Sequence, residues 1–420
     1  MGDLCRFLSD HQRLARRHFL KLGVAGSAAL AMLPAIGKAD SPPPSPELAE
    51  AIGKLESFFT KPSDFRDVSR GKPLPHSLPE EKKAEVGLTR ETWKLEVIAD
   101  PESPAKIGKP MTKSDGTALD FAGLLALGEK HAVRFAKVMT CLNIGCPLGM
   151  GIWEGVPLRE LLWLTQPRED WRRVIYYGYH NDDLAQMFKS SLPAGRVLED
   201  PFDLPPVILC YKLNGQWLNP QRGGPVRVVV PEHYGFKSIK WLSHVVLSNL
   251  GQANDTYIGG NNDVDSPLKS FAATLSFPAE AKAGQALPIT GYAQVGISGV
   301  SKVQVWIAPA DKEWPADDKH FATAPWTDAT ILGPPAKWGG ELEGDRIPAG
   351  TLGFDDAGQP KSWPMRLGKI HWAALLPGLP AGDYVLRSRT IDEKGIAQPL
   401  PRPFRKSGHA AIEAVNIKVR

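Results

Sequence analysis

Little in this chain announces a ready-made chemistry. Four cysteines in 420 residues exclude a disulfide scaffold. Beyond residue 40 no apolar run approaches the ~18 residues that cross a bilayer, so no membrane span is expected in the mature chain. The formal net charge is only +4 and is spread along the sequence, without the basic run or face of a nucleic-acid binder. No GxGxxG or GxxxxGK[ST] opens a strand–helix turn, so neither a dinucleotide fold nor a P-loop is supported. No CxxCH occurs, so no haem is expected in this chain. What is plentiful is proline (38) and glycine (40), which favours many loops and short strands over helical bundles. The 23% of charged residues is ordinary for a folded protein.

The first residues read as a leader. Arg16-Arg17-His18-Phe19-Leu20-Lys21 precedes a moderately apolar run from Leu22 to Ile36, and Gly37-Lys38-Ala39 supplies small residues for cleavage. This is the order of a twin-arginine export signal. The expected organisation is a signal peptide over 1–39 and a proline-rich linker over 40–54, with export as a folded protein to the periplasm. Cys5 falls in the leader, leaving three cysteines, so at least one is free in an oxidising compartment.

The mature chain alternates between elements. A short helix is expected over 49–59, and the polar stretch Thr60 to Pro79 has no periodicity. That stretch reads as a surface loop or as an extended segment lying across a polar ligand. Strands follow at Trp93 to Ile98, Val133 to Met139, Arg173 to Tyr177, Val207 to Leu213, Val226 to Val230 and His244 to Leu250. Helices are expected at Phe121 to His131 and Leu158 to Leu164, and Asn214-Gly215 has the chemistry of a tight hairpin turn. A glycine- and proline-rich loop is expected between Cys141 and Trp153. The fold class is α+β, with one mixed domain over 55–262. From 267 to 420 short strands at regular spacing suggest an all-β immunoglobulin-like sandwich without an inter-sheet disulfide, and 309–370 reads as long loops.

Two places carry chemistry. Cys141 stands where an apolar strand stops. Cys146 follows with four residues between, but no second pair at ligand spacing supports a structural zinc. A disulfide between the two, a thiol nucleophile served by His131, His180 or His233, and metal ligation remain open. The second place is a basic turn, Arg222-Gly223-Gly224-Pro225-Val226-Arg227, followed by Lys237, Ser238 and Lys240. An arginine inside an apolar strand is costly unless paired or bound to an anion, and grouped cations are what a phosphate requires.

These residues resemble the sulfite oxidase family of molybdopterin-dependent oxidoreductases. The likeness rests on Thr140-Cys141-Leu142-Asn143 with Trp153, Gly155, Pro157 and Leu158. It continues through Leu213-Asn214-Gly215, Gly224-Pro225-Val226-Arg227 to Pro231, and Gly235, Lys237, Lys240 and Trp241. In the last domain Gly291, Val303, Trp326, Asp392 and Gly395 resemble the family's dimerisation module. The resemblance implies a molybdenum-molybdopterin cofactor with Cys141 as its metal ligand. Ser63, Arg66, Asp67, Arg222, Arg227, Lys237, Ser238, Ile239 and Lys240 would bind the pterin and its phosphate, with Tyr257 beside the reacting centre; His180, after a strand end, is expected to line the same pocket. It further implies oxygen-atom transfer to a small substrate, electrons passed to an external carrier such as a cytochrome c, and a homodimer. Sulfite or a related sulfur compound is the expected substrate class, although Cys146 stands where sulfite-oxidising members carry an arginine for the oxyanion, a departure that counts against sulfite itself. S-oxide or N-oxide reduction is the alternative, and a non-catalytic binding or assembly protein retaining the fold is the reading of another class.

Overall fold

Branched aliphatics and a buried tryptophan organise the first half of the chain around two sheets. The computed structural model describes residues 45–144, 147–278, 280–399, 404–408 and 410–420. The leader expected over 1–39, the start of the linker and Cys146 lie outside these residues. In the first sheet the strands Lys94–Ala99 and Leu242–Ser248 pair in parallel, flanked by Leu119–Asp120 on one side and by Arg173–Gly178 and Lys189–Pro193 on the other. Leu95, Val97, Val174, Tyr176, Val245 and Leu247 share one core with Trp93, whose indole N–H donates to Leu242 O at 2.7 Å. The helix Phe121–His131 packs Leu124 into this core, and Asp120 caps it by accepting from Gly123 N at 2.8 Å, satisfying one of the free N–H groups of its first turn.

The second sheet carries the site. Its order is Thr351–Leu352, Val133–Thr140, Pro147–Pro157, Ile208–Leu213, Gln216–Trp217, with Arg227–Val229 paired to Ile208–Leu213. The expected loop after Cys141 is therefore mostly a strand, antiparallel to Val133–Thr140. Its glycines reflect crowding, not looseness. A Cβ at Gly155 would lie 2.2 Å from Leu209 O, and one at Gly151 would lie 2.7 Å from Asn214 Oδ1. The Asn214-Gly215 turn forms as expected, with both residues at positive φ. Asn214 then links three segments, accepting from Ile152 N at 2.9 Å and donating to Thr60 O at 3.0 Å and Gly340 O at 2.8 Å.

The helix expected over 49–59 covers only Pro46–Gly53. Phe58 and Phe59 leave it to pack against Trp338, at ring distances of 5.2 and 5.5 Å. Tertiary burial overrides the helical spacing here.

Eight of the strands after residue 270 form one continuous path. Phe271–Ser276, Leu287–Gln294 and Lys369–Leu376 make one half; Lys302–Pro309, Gly382–Ile391 and Glu413–Val419 make the other. The halves face each other across Leu287, Ile289, Val303, Val305, Trp372, Leu386 and Ile417. Thr327–Ile331 pairs with both Lys302–Pro309 and Lys369–Leu376, so the halves are joined along one edge. The stretch expected as long loops thus contributes two strands. One of them, Thr351–Leu352, lies parallel to the start of Val133–Thr140. Around it Trp338, Leu342, Phe354, Met365 and Leu367 cover Phe58, Val138, Met150 and Ile152.

Candidate active site

Cys141 is presented by a strand that ends abruptly. Pairing between Val133–Thr140 and Pro147–Pro157 shifts register between Met139 and Thr140, and such an irregularity turns the chain out of the sheet. The strand end is held from the second half of the chain. Thr140 Oγ1 donates to Gln294 Oε1 at 2.5 Å, Gln294 Nε2 donates to Lys269 O at 2.7 Å, and Val138 N donates to Leu367 O at 2.7 Å. Cys141 itself is a half-buried free thiol.

The thiol lines a cavity of about 320 Å³. Among the sequence-predicted residues, Arg66, Cys141, His180, Arg222, Arg227, Ser238, Ile239, Lys240 and Tyr257 also line it. The lining holds arginines and a lysine but no aspartate or glutamate, so its field favours an anion.

One group of lining residues surrounds the basic turn. Arg227 is spent on the protein itself: it donates to Arg222 O at 2.8 Å and Ser238 O at 2.5 Å and lies over the Trp153 ring at 5.3 Å. Burial pulls it down to about 10. Lys240 donates to Asp67 Oδ1 at 3.0 Å, Ser69 Oγ at 2.6 Å and Gln221 O at 2.7 Å. Burial and the Arg227 guanidinium nonetheless lower it to about 7, against the pull of Asp67. Arg222 is different. Only its Nη1 is placed, on Phe65 O at 2.8 Å, while Nε and Nη2 are buried without a partner. Buried guanidinium donors left unpaired call for a ligand.

A second group lies by the thiol. Asn143 Nδ2 donates to Tyr257 Oη at 3.1 Å. The Tyr257 ring meets Phe188 at 5.1 Å and Phe236 at 5.7 Å. The Arg70 guanidinium sits 5.0 Å from the Phe188 ring centroid. His180 lines the cavity with a buried Nδ1 that has no partner.

Three sequence-predicted residues stand elsewhere. Lys237 is fully buried and donates to Asp255 Oδ1 at 2.7 Å and Ser191 O at 2.8 Å, so its side chain is committed to the fold. Ser63 is exposed and donates to Asp64 at 2.8 Å. Asp67 acts through Lys240. Arg70, Phe188 and Phe236 were not singled out by the sequence, and Asn143 only as part of the motif around Cys141. The aperiodic polar stretch after Thr60 was a signal for Arg70, because Phe65, Arg66 and Val68 to Gly71 line the cavity. Cys210 is buried away from it, its thiol pushed up to about 12 by burial. Among the described residues no group of three or more His, Cys, Asp or Glu could hold a metal ion.

Residues 130–255 match the model of the oxidoreductase molybdopterin binding domain. Mitochondrial sulfite oxidase of Drosophila melanogaster is 25% identical over 334 residues, 70% of this chain and 54% of that protein. An NADH nitrate reductase of Phaseolus vulgaris is 28% identical over 226 residues, 49% of this chain and 22% of that protein. The chain thus spans about half the length of the sulfite oxidase and far less of the nitrate reductase. The crystal structure of the sulfane dehydrogenase SoxCD from Paracoccus pantotrophus superposes with a TM-score of 0.54 at 16% identity, covering 93% of this chain and 94% of that one, which is a likeness of fold.

Proposed function

The central domain of this chain is an oxidoreductase molybdopterin-binding domain of the sulfite oxidase family, whose cofactor is molybdenum-molybdopterin, and from it we propose an oxidoreductase acting on sulfite or a related small sulfur compound. The observation that carries this reading is a single cavity joining a half-buried thiol to buried guanidinium donors that lack partners. The residues fit the cofactor. Cys141 offers one soft anionic ligand. Arg222 and Lys240, with the amides around Ser238 and Ile239, would hold the phosphate, and Arg227 keeps their turn in shape. When bound, the cofactor supplies a two-electron redox change coupled to oxygen-atom transfer.

The chain's own share is binding and orientation. Phe188, Phe236 and Ile144 keep bulk water from the thiol side of the cavity. Asn143 donates to the Tyr257 hydroxyl, and that hydroxyl and His180 would hold a proton or a substrate oxygen. Electrons pass to an external carrier such as a cytochrome c. Export by the twin-arginine route to the periplasm, and a homodimer formed through an immunoglobulin-like all-β half, belong to the same reading. S-oxide or N-oxide reduction at the same centre is the alternative, favoured by Cys146 in place of an arginine.

The test is metal analysis of the matured protein, with sulfite:ferricyanide activity measured against reduction of a sulfoxide by a dye. About one molybdenum per chain with sulfite turnover is expected. A matured protein without molybdenum would sink both enzyme readings, and turnover of the sulfoxide alone would select the reductase.

A further inference from the structure

Arg70 is the cation whose place the phosphate group does not explain. Its guanidinium lies 5.0 Å from the Phe188 ring centroid and 5.8 Å from that of Tyr257, in the wall of the cavity that holds Cys141. No carboxylate pairs with it among the described residues. Its backbone is fixed by its neighbours. Gly71 follows at a φ of +125°, and a Cβ there would meet Pro75 Cδ at 2.9 Å. Lys72 N donates to Gln186 Oε1 at 2.9 Å, and Asn181 Nδ2 donates to Pro73 O at 2.8 Å. The guanidinium of this exposed residue thus lies over two aromatic faces before any ligand arrives.

The surroundings select by charge and by shape. Arg222 and Lys240 belong to the basic turn, and Arg227 is used up on carbonyls. Around Tyr257 the wall is Phe188, Phe236, Ile144 and Val68. A guanidinium on aromatic faces is weakly hydrated and planar. It pairs well with a delocalised monoanion through two parallel hydrogen bonds. The apolar wall beside it favours an anion that carries an organic group over one that is polar all round.

We propose that the substrate is an organic sulfinate, R–SO2⁻, with its oxygens on Arg70 and its R group against Phe188, Phe236 and Ile144. This rests on the oxidising reading above. The reaction is R–SO2⁻ + H2O → R–SO3⁻ + 2H⁺ + 2e⁻. The sulfur lone pair forms the new S–O bond, the oxygen derives from water, and the two electrons leave to a one-electron carrier of the cytochrome c or ferricyanide class.

The experiment uses the molybdenum-loaded full chain with ferricyanide as acceptor and benzenesulfinate, methanesulfinate and sulfite as substrates. Benzenesulfinate is expected to exceed sulfite in kcat/KM by roughly ten-fold or more, the worth of burying an aromatic ring. Arg70→Gln is expected to raise its KM by roughly ten- to a hundred-fold with kcat little changed. Arg70→Lys should recover part of this, and molybdenum content should be unchanged in both variants because Arg70 stands apart from the basic turn. Sulfite preferred over both sulfinates, or an unchanged KM in Arg70→Gln, overturns the proposal and leaves the broader reading intact. If no substrate is oxidised, the broader reading fails. Calorimetric binding of benzenesulfonate to the same protein is measured beside turnover: binding lost in Arg70→Gln supports the Arg70 contact, and turnover absent, or binding absent or unaffected by the substitution, ends the proposal.

Discussion

Thr140 and Gln294 share a 2.5 Å hydrogen bond between two fully buried side chains from opposite halves of the chain. The residue before the candidate metal ligand is therefore positioned by the all-β half. Thr140→Val leaves Gln294 Oε1 without its donor, at a cost of roughly 1–3 kcal/mol. Denaturant unfolding should show that loss, and the thiolate-to-metal absorption of the loaded protein should shift. Thr140→Ser keeps the hydroxyl and should restore the band. A Thr140→Val protein with lowered stability and an unmoved band would make the contact purely structural.

Cys141→Ser should abolish molybdenum retention and activity while leaving the fold, since Cys141 makes no hydrogen bond on which the sheet depends. Cys210→Ala should leave metal content and activity near wild type. Its Sγ donates to Lys212 O at 3.3 Å within a buried apolar cluster, and a loss of ~1 kcal/mol is expected from the lost sulfur packing. Metal analysis beside thermal unfolding separates the two thiols.

Arg222→Met removes the donors that lack partners and gives up one protein hydrogen bond, to Phe65 O. Folding should survive and the cofactor should be lost, visible as protein purified with little molybdenum or pterin fluorescence. Full loading of this variant would mean that the phosphate is held elsewhere.

Lys240 gives the pH dependence. Burial lowers it to about 7 in the folded chain, against about 10.4 when unfolded. Between these values the unfolded chain holds a proton that the folded chain has released. Stability of the cofactor-free protein should therefore rise with pH across roughly 7 to 10. Lys137, fully buried and likewise lowered to about 7 by burial, adds to the same trend. A bound phosphate favours charged Lys240, so binding takes up a proton and cofactor retention should weaken as pH rises above about 7. Gel filtration of loaded protein at stepped pH measures this, and Lys240→Gln should flatten the retention profile without flattening the stability trend of Lys137.

Lys237→Met tests the opposite role. It leaves Asp255 fully buried with its Ser190 and Ser191 hydrogen bonds but no counter-charge. A loss of roughly 3–5 kcal/mol is expected, seen as unfolding or poor expression. A folded variant lacking only the cofactor would assign Lys237 to the phosphate instead.

The sequence made the thiol strand legible because Val133 to Met139 is continuously suited to a sheet and stops at Thr140. It hid the adjoining strand, because Gly149, Gly151 and Gly155 look like loop residues. Each is glycine because Phe65, Asn214 or the Leu209 carbonyl occupies the space of a side chain. The basic turn was visible as cations in an apolar context, yet pattern alone could not separate Lys237 from Lys240. One is consumed by Asp255, more than a dozen residues further along, and the other reaches the cavity. Arg70 was marked only by the aperiodic stretch it lies in. Its meaning comes from Phe188, just before the strand Lys189–Pro193, and from Tyr257, in the short helical turn Thr256–Ile258.

The short parallel pairing of Thr351–Leu352 with the thiol strand bears on how the molecule comes apart. A fragment ending near residue 262 would lack Trp338, Phe354, Met365 and Leu367, the side chains that shield Phe58, Val138, Met150 and Ile152. A bared sheet edge beside bared aromatics is a site for self-association. Truncation would register first as insolubility, and a protease nick between residues 338 and 367 would loosen the thiol's strand from the far side of the chain.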